Sequence, residues 1–164
     1  MENWPEFRPT RLLSRLTARG IDFVVVGGFA AIAHGSARLT NDLDICFSTG
    51  PANLTALGGL LLDLGASLRG VADDVQFVSD ARTLARIDLL TLTTSEGALD
   101  LLRAPAGAPR YDTLRRRADR VELGGLLVLV ASLDDLIAMK RAAGRPVDLL
   151  DIESLEAIKR LRRG

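Results

Sequence analysis

Two aspartates two residues apart, Asp42 and Asp44 in the run Asp42-Leu43-Asp44-Ile45-Cys46-Phe47, are the residues of this chain whose spacing most directly suggests chemistry. In an extended strand, alternate residues share a face. Both carboxylates therefore point one way while Leu43, Ile45 and Phe47 point into a core. Like charges held side by side repel unless something positive lies between them, and a divalent metal is the simplest candidate. Upstream, Gly27-Gly28 separates the β-branched run Phe23-Val24-Val25-Val26 from an alanine-rich segment, Phe29 to His34. The glycines let the backbone turn sharply, and free N–H groups where a helix begins suit an anion. The acid pair asks for a cation and the turn for an anion.

Further candidates lie downstream. Ala85 to Leu92 reads as a strand with one acid, Asp88, which is either a capped edge-strand residue or a third carboxylate facing the first two. Tyr111 to Ala118 carries Arg115, Arg116 and Arg117, flanked by Arg110 and Arg120: a solvated helix face, or a phosphate-binding patch for RNA. Lys140 falls on the buried stripe of Leu133, Leu136 and Ile137, so it either snorkels to water or aims into a cleft that holds phosphates. Asp148 and Asp151 follow Pro146, and Asp151 faces inward at helical spacing, with Arg145 its expected partner. His34 lies one turn beyond the glycines and is read as packed there.

The elements that must position these residues alternate short apolar strands with helices. Residues 1–9 form a loose arm, and Thr10 to Arg19 is an amphipathic helix stopped by Gly20. Leu54, Leu57, Leu61 and Leu64 mark a helix opened by Pro51 and closed by Gly65. Val75 to Val78 is a strand candidate, Thr94 to Leu102 a short helix, and Gly124-Gly125 the turn of a hairpin within Val121 to Val130. Ser132 caps a helix that Gly144 ends, Pro146 starts another, and the chain closes in a basic helix end, 159–163. The expectation is an α/β (α+β) domain over 1–164. It holds a mixed sheet with helices on one face, the strands 21–26, 42–47 and 85–92 adjacent, and a C-terminal helical part at 132–163.

Composition bounds the function. With 164 residues, 48% hydrophobic and 26% charged, the chain can bury one real core. Zero formal net charge means that any RNA must be met by a local patch. One cysteine and one histidine make neither a disulfide framework nor a zinc site, and they suit a reducing cytoplasm. No signal peptide and no membrane-spanning run are expected. No Walker-type lysine follows the glycines, which excludes a P-loop.

Gly27-Gly28, a gap, then Asp42-x-Asp44 resembles the signature of the DNA polymerase beta-like nucleotidyltransferase superfamily. The wider context, GGFAAIAHGS-R-TNDLDI with KRAAGRPVDLLDI near the end, resembles its small bacterial branch of AbiEii/MenT-type toxins from toxin–antitoxin systems. Where many members carry Gly-Ser, this chain has Gly27-Gly28, which sets it apart from the minimal antitoxin-type enzymes. The resemblance implies a nucleotidyltransferase fold and transfer of a nucleoside monophosphate from a nucleoside triphosphate. It implies two Mg²⁺ ions held by Asp42, Asp44 and Asp88, since a later strand of the superfamily supplies a third carboxylate in an Asp-Leu-Leu-like context. Triphosphate binding is expected at Gly27, Gly28, Ser36, Arg38 and Lys140, with Asp148 matching a functional aspartate of the toxins. The implied acceptor is a tRNA 3′ end, with a cognate antitoxin as partner. The alternatives are a small-molecule, antibiotic-type transferase or a non-catalytic nucleotide-binding protein.

Overall fold

A computed structural model describes residues 4–71, 77 and 79–164. Helix α1 (Pro9–Ala18) starts on its proline, buries Leu12, Leu13 and Leu16, and is followed by Gly20 in the left-handed region. Strand β1 (Phe23–Val26) is buried at every residue and runs straight into α2 (Gly27–Ala33). Strand β2 (Asp42–Phe47) returns antiparallel to β1, and α3 (Pro51–Asp63) lays four leucines, Leu54, Leu57, Leu60 and Leu61, on the core. A two-residue edge strand β3 (Ser67–Leu68) and the short α4 (Ala81–Leu84) lead to β4 (Leu89–Thr94) and β5 (Gly97–Leu102). Then come α5 (Tyr111–Arg117), the hairpin β6 (Asp119–Leu123) and β7 (Leu126–Val130), and two helices, α6 (Leu133–Ala143) and α7 (Pro146–Arg163).

The seven strands form one mixed sheet in the order β3-β4-β5-β2-β1-β7-β6. Strand β2 pairs antiparallel with β1 and parallel with β5, while β1 pairs parallel with β7. The expected mixed α/β architecture is present, and the central strands are those of the glycine turn and the acid pair. The Gly124-Gly125 hairpin, the Ser132 cap and the Gly144 stop all occur where the sequence puts them.

Two expectations are corrected. Residues 94–102 are not a helix but the turn and second strand of a hairpin, and β5 stands between β2 and β4, which are therefore not adjacent. Leucine, alanine and glutamate favour a helix by intrinsic propensity. Here the turn overrides them. The Thr94 hydroxyl accepts from Glu96 N at 3.1 Å and donates to Gly97 O at 2.8 Å, and Gly97 takes φ +108. Pairing on both sides then buries Leu99 and Leu101 on alternate positions. The strand expected at Val75 to Val78 lies, apart from Phe77, outside the described residues.

Candidate active site

The register of β1 on β2 sets Val26 beside Asp44, so the turn at Gly27 passes directly over the Asp44 side chain. Gly27 has φ +70, and a Cβ there would overlap the Asp44 carboxylate. No other residue fits without displacing that acid. A Cβ on Gly28 would crowd Thr40 Oγ1 at 3.2 Å, and this hydroxyl donates to Asp42 Oδ1 at 3.1 Å. Val26, the residue capping α2, offers no side-chain bond to the first turn of the helix.

On the other flank, parallel pairing sets Asp100 of β5 opposite Asp44 of β2. One carboxylate oxygen each from Asp42, Asp44 and Asp100 lie within 4.8 Å of one another. Asp44 Oδ1 is buried and has no hydrogen-bond partner among the described residues. Burial first, then the charges of Asp42 and Asp100, push the Asp44 carboxyl up to about 8 from its ordinary 3.8, while nearby Lys140 opposes the shift. Asp100 is also raised, chiefly by burial and against the pull of Arg69, whose Nη2 donates to its Oδ1 at 2.5 Å. Three hard oxygen donors with one orphaned buried atom are a donor set suited to Mg²⁺. The residues present fit the ion.

Asp88, expected as the third carboxylate, is not part of this group. It precedes β4, its side chain is 75% exposed, and it is bonded to Arg103. Asp100 stands in its place, because the hairpin puts β5, not residues 85–88, against β2. Alternation over Leu99-Asp100-Leu101 and a second Asp-Leu-Leu tripeptide at Asp100 are the signals that could have found it. Arg69 left no signal in the sequence.

The basic side of the site is organised by acids. Lys140 is buried and donates to Asp151 Oδ2 at 2.9 Å, with Asp148 Oδ1 at 3.8 Å; it does not snorkel to water. Arg38 also bonds Asp151, and its loop is tied by Arg38 N donating to Ser36 Oγ at 3.3 Å. Asp151 therefore pairs with Arg38 and Lys140, not with Arg145 as expected. Arg145 instead bonds Asp148, which is fully buried: its Nε donates at 2.8 Å and its backbone N at 3.0 Å to Asp148 Oδ2. These bonds hold the Asp148 carboxyl below the usual range despite burial. His34 is buried and donates Nε2–H to Ala131 O at 2.8 Å, joining α2 to the end of β7.

A cleft of about 390 Å³ runs between the acidic and basic sides. Gly27, Asp44, Lys140 and Asp148 line it, with Asp88 also on its wall, and Leu89, Leu102, Pro105 and Met139 make an apolar flank. In the arginine cluster, Arg115 pairs with Asp22 at 3.0 Å and Arg117 with Asp135 at 3.1 Å, while Arg116 donates to Thr113 Oγ1.

A family model described as nucleotidyl transferase of unknown function (DUF2204) matches residues 8–163. A search of curated proteins finds no match. Among solved structures, the lincosamide antibiotic adenylyltransferase LnuA with lincomycin bound is 16% identical, with 91% of this chain and 94% of that chain covered and a TM-score of 0.63. ANT(2″)-Ia in complex with adenylyl-2″-tobramycin is 17% identical over 94% and 92% of the two chains, with a TM-score of 0.59. A putative nucleotidyltransferase from Thermotoga maritima, TM1012, is 14% identical over 99% of both, with a TM-score of 0.51. At these identities the likeness is one of fold. No described helix is long and apolar enough to cross a membrane.

Proposed function

Since this chain belongs to the DUF2204 family of nucleotidyl transferases, we propose that it moves a nucleoside monophosphate from a nucleoside triphosphate to an acceptor hydroxyl at the Asp42–Asp44–Asp100 group. The observation that carries the reading is the buried Asp44 Oδ1, unpartnered among the described residues, beside two further carboxylates and under a glycine whose positive φ and contact with that acid both exclude a side chain. Asp42, Asp44 and Asp100 would hold Mg²⁺. When bound, that ion neutralises triphosphate charge and lowers the pKa of a coordinated hydroxyl.

The remaining work falls to the chain's own residues. The Gly27-Gly28 turn at the end of the central strand β1, packed against the Asp44 and Thr40 side chains, would bring a triphosphate close to the acid group. Lys140 on the cleft wall and Arg38 beside Gly28, both fixed by Asp151, set positive charge toward the phosphates. Ser36 orders the loop that carries Arg38. Asp148 holds the start of α7 through Arg145, and so acts on the site by positioning. The acceptor oxygen attacks the α-phosphorus and pyrophosphate leaves; alignment and charge neutralisation supply the rate.

For the acceptor, the apolar flank of Leu89, Leu102, Pro105 and Met139 favours a compact hydroxyl compound, the kind of substrate seen with LnuA and ANT(2″)-Ia. A second reading is a tRNA 3′ end, with the chain as an AbiEii/MenT-type toxin and a cognate antitoxin as its partner. It draws on the basic end of α7, where Lys159, Arg162 and Arg163 share a surface hollow with Asp134. Incubation with each labelled triphosphate and Mg²⁺, against total tRNA and against a panel of aminoglycosides and lincosamides, separates the two. Label in neither acceptor set, with no pyrophosphate released, sinks the transfer itself.

A further inference from the structure

Asp100 differs from its two neighbours in already having a cation. Arg69 follows the edge strand β3, and its backbone N donates to Thr91 O at 3.0 Å, which extends the ladder with β4 by one residue. Thr91 lies opposite Asp100 in the β4–β5 register, so the ladder delivers Arg69 to that acid. The guanidinium is held at two points: Nη1 donates to Leu92 O at 3.2 Å and Nη2 to Asp100 Oδ1 at 2.5 Å. Its side chain is 24% exposed and that of Asp100 14%. Among the described residues, neither Asp42 nor Asp44 has a basic group within ion-pair distance. One acid of the group is neutralised by the fold, and two are not.

We propose that Arg69 is a built-in competitor for Asp100. It leaves Asp42 and Asp44 to take the first divalent cation alone, and a second cation must displace Arg69 from Asp100. The inference rests on the cation-binding reading above. A fixed guanidinium beside the pair opposes a divalent ion by like-charge repulsion, which at short range in a half-buried site is felt as roughly tenfold in affinity. An arginine that only staples β3 to β5 would leave cation binding unchanged and lower stability alone.

The test is titration of Mn²⁺ alone into the nucleotide-free protein, with free ion read by electron paramagnetic resonance. The wild type should bind one Mn²⁺ per chain in its tight class. Arg69→Gln should bind about tenfold more tightly or take up a second ion, and Arg69→Lys, which keeps the charge, should stay near the wild type. The double variant Arg69→Gln with Asp100→Asn removes both members of the Arg69–Asp100 pair and leaves Asp42 and Asp44 untouched, so it should bind one Mn²⁺ at nearly wild-type affinity. Unchanged or weaker binding by folded Arg69→Gln overturns the proposal, as does a double variant that loses the tight ion. A folded wild type that binds no Mn²⁺ overturns the cation-binding reading itself, and this inference with it.

Discussion

The two charged clusters facing each other across the cleft are built on opposite principles. In the basic wall every buried acid has a partner: Asp151 meets Arg38 and Lys140, and Asp148 meets Arg145. In the acidic wall Asp42 and Asp44 face Asp100, and among the described residues Arg69 alone forms an ion pair with any of the three carboxylates, while a buried oxygen of Asp44 is left over. Burying charge without a partner is costly, so a fold keeps it only where something else supplies the partner. The balanced cluster reads as architecture that also lends charge to the cleft. The unbalanced one reads as a ligand site.

The sharpest way to break this contrast is to neutralise one member of the acidic wall. Asp44→Asn or Asp100→Asn should lower nucleotidyl transfer by about a thousandfold. In a chelator above pH 8, where the metal-free Asp44 carboxyl is ionised, Asp44→Asn should raise the melting temperature by a few degrees, because it removes the repelling, desolvated charge. Retained activity in either variant, or a lower melting temperature for Asp44→Asn without metal, would remove the distinction between the walls.

The balanced cluster should respond in the other direction. Asp151→Asn strands Lys140 and Arg38 without their carboxylate and should cost about 3 kcal/mol. In a domain of this size that is roughly 10 °C of melting temperature. Equal stability of variant and wild type in thermal unfolding would show that the triad is not structural.

The clusters should also carry opposite pH signatures in metal-free protein. The folded Asp44 pKa of about 8 lies above its ordinary 3.8, so the contribution of Asp44 to stability is full below 3.8 and is lost as pH rises toward 8. Asp148 is depressed, so its contribution is present above 3.8 and is lost as pH falls through the lowered value. Stability measured against pH in chelator should therefore lose its neutral-side slope in Asp44→Asn and its acid-side loss in Asp148→Asn. Identical profiles for both variants would contradict the assignment.

The smallest effect is expected at Asp88. Exposed and paired with Arg103, it should tolerate Asp88→Asn with activity within about twofold and stability within about 0.5 kcal/mol. A loss in steady-state transfer as large as that of Asp100→Asn would restore it to the site.

Local chemistry made much of this legible before any coordinates. Glycines at Gly27-Gly28 and alternation at Asp42-Leu43-Asp44 are statements about single elements, and backbone sterics and the pleat enforce them wherever the strand lies. The Ser132 cap and the Gly144 stop are of the same kind. Partner choice was not legible. The inward lysine and aspartate were visible as Lys140 and Asp151, but Arg38, more than a hundred residues away, was not visible as their companion.

The tripeptide Asp-Leu-Leu occurs at Asp88, Asp100 and Asp148. One lies exposed before a strand, one faces the acid pair from within a strand, and one caps a helix through Arg145. The sequence by itself determined that acids stand at these places and that Asp42 and Asp44 share a face. Which acid completes the group was decided by the sheet, because a hairpin turn at Thr94–Gly97 inserts β5 against β2, and register between strands far apart in the chain is set by pairing and packing, not by the three residues themselves.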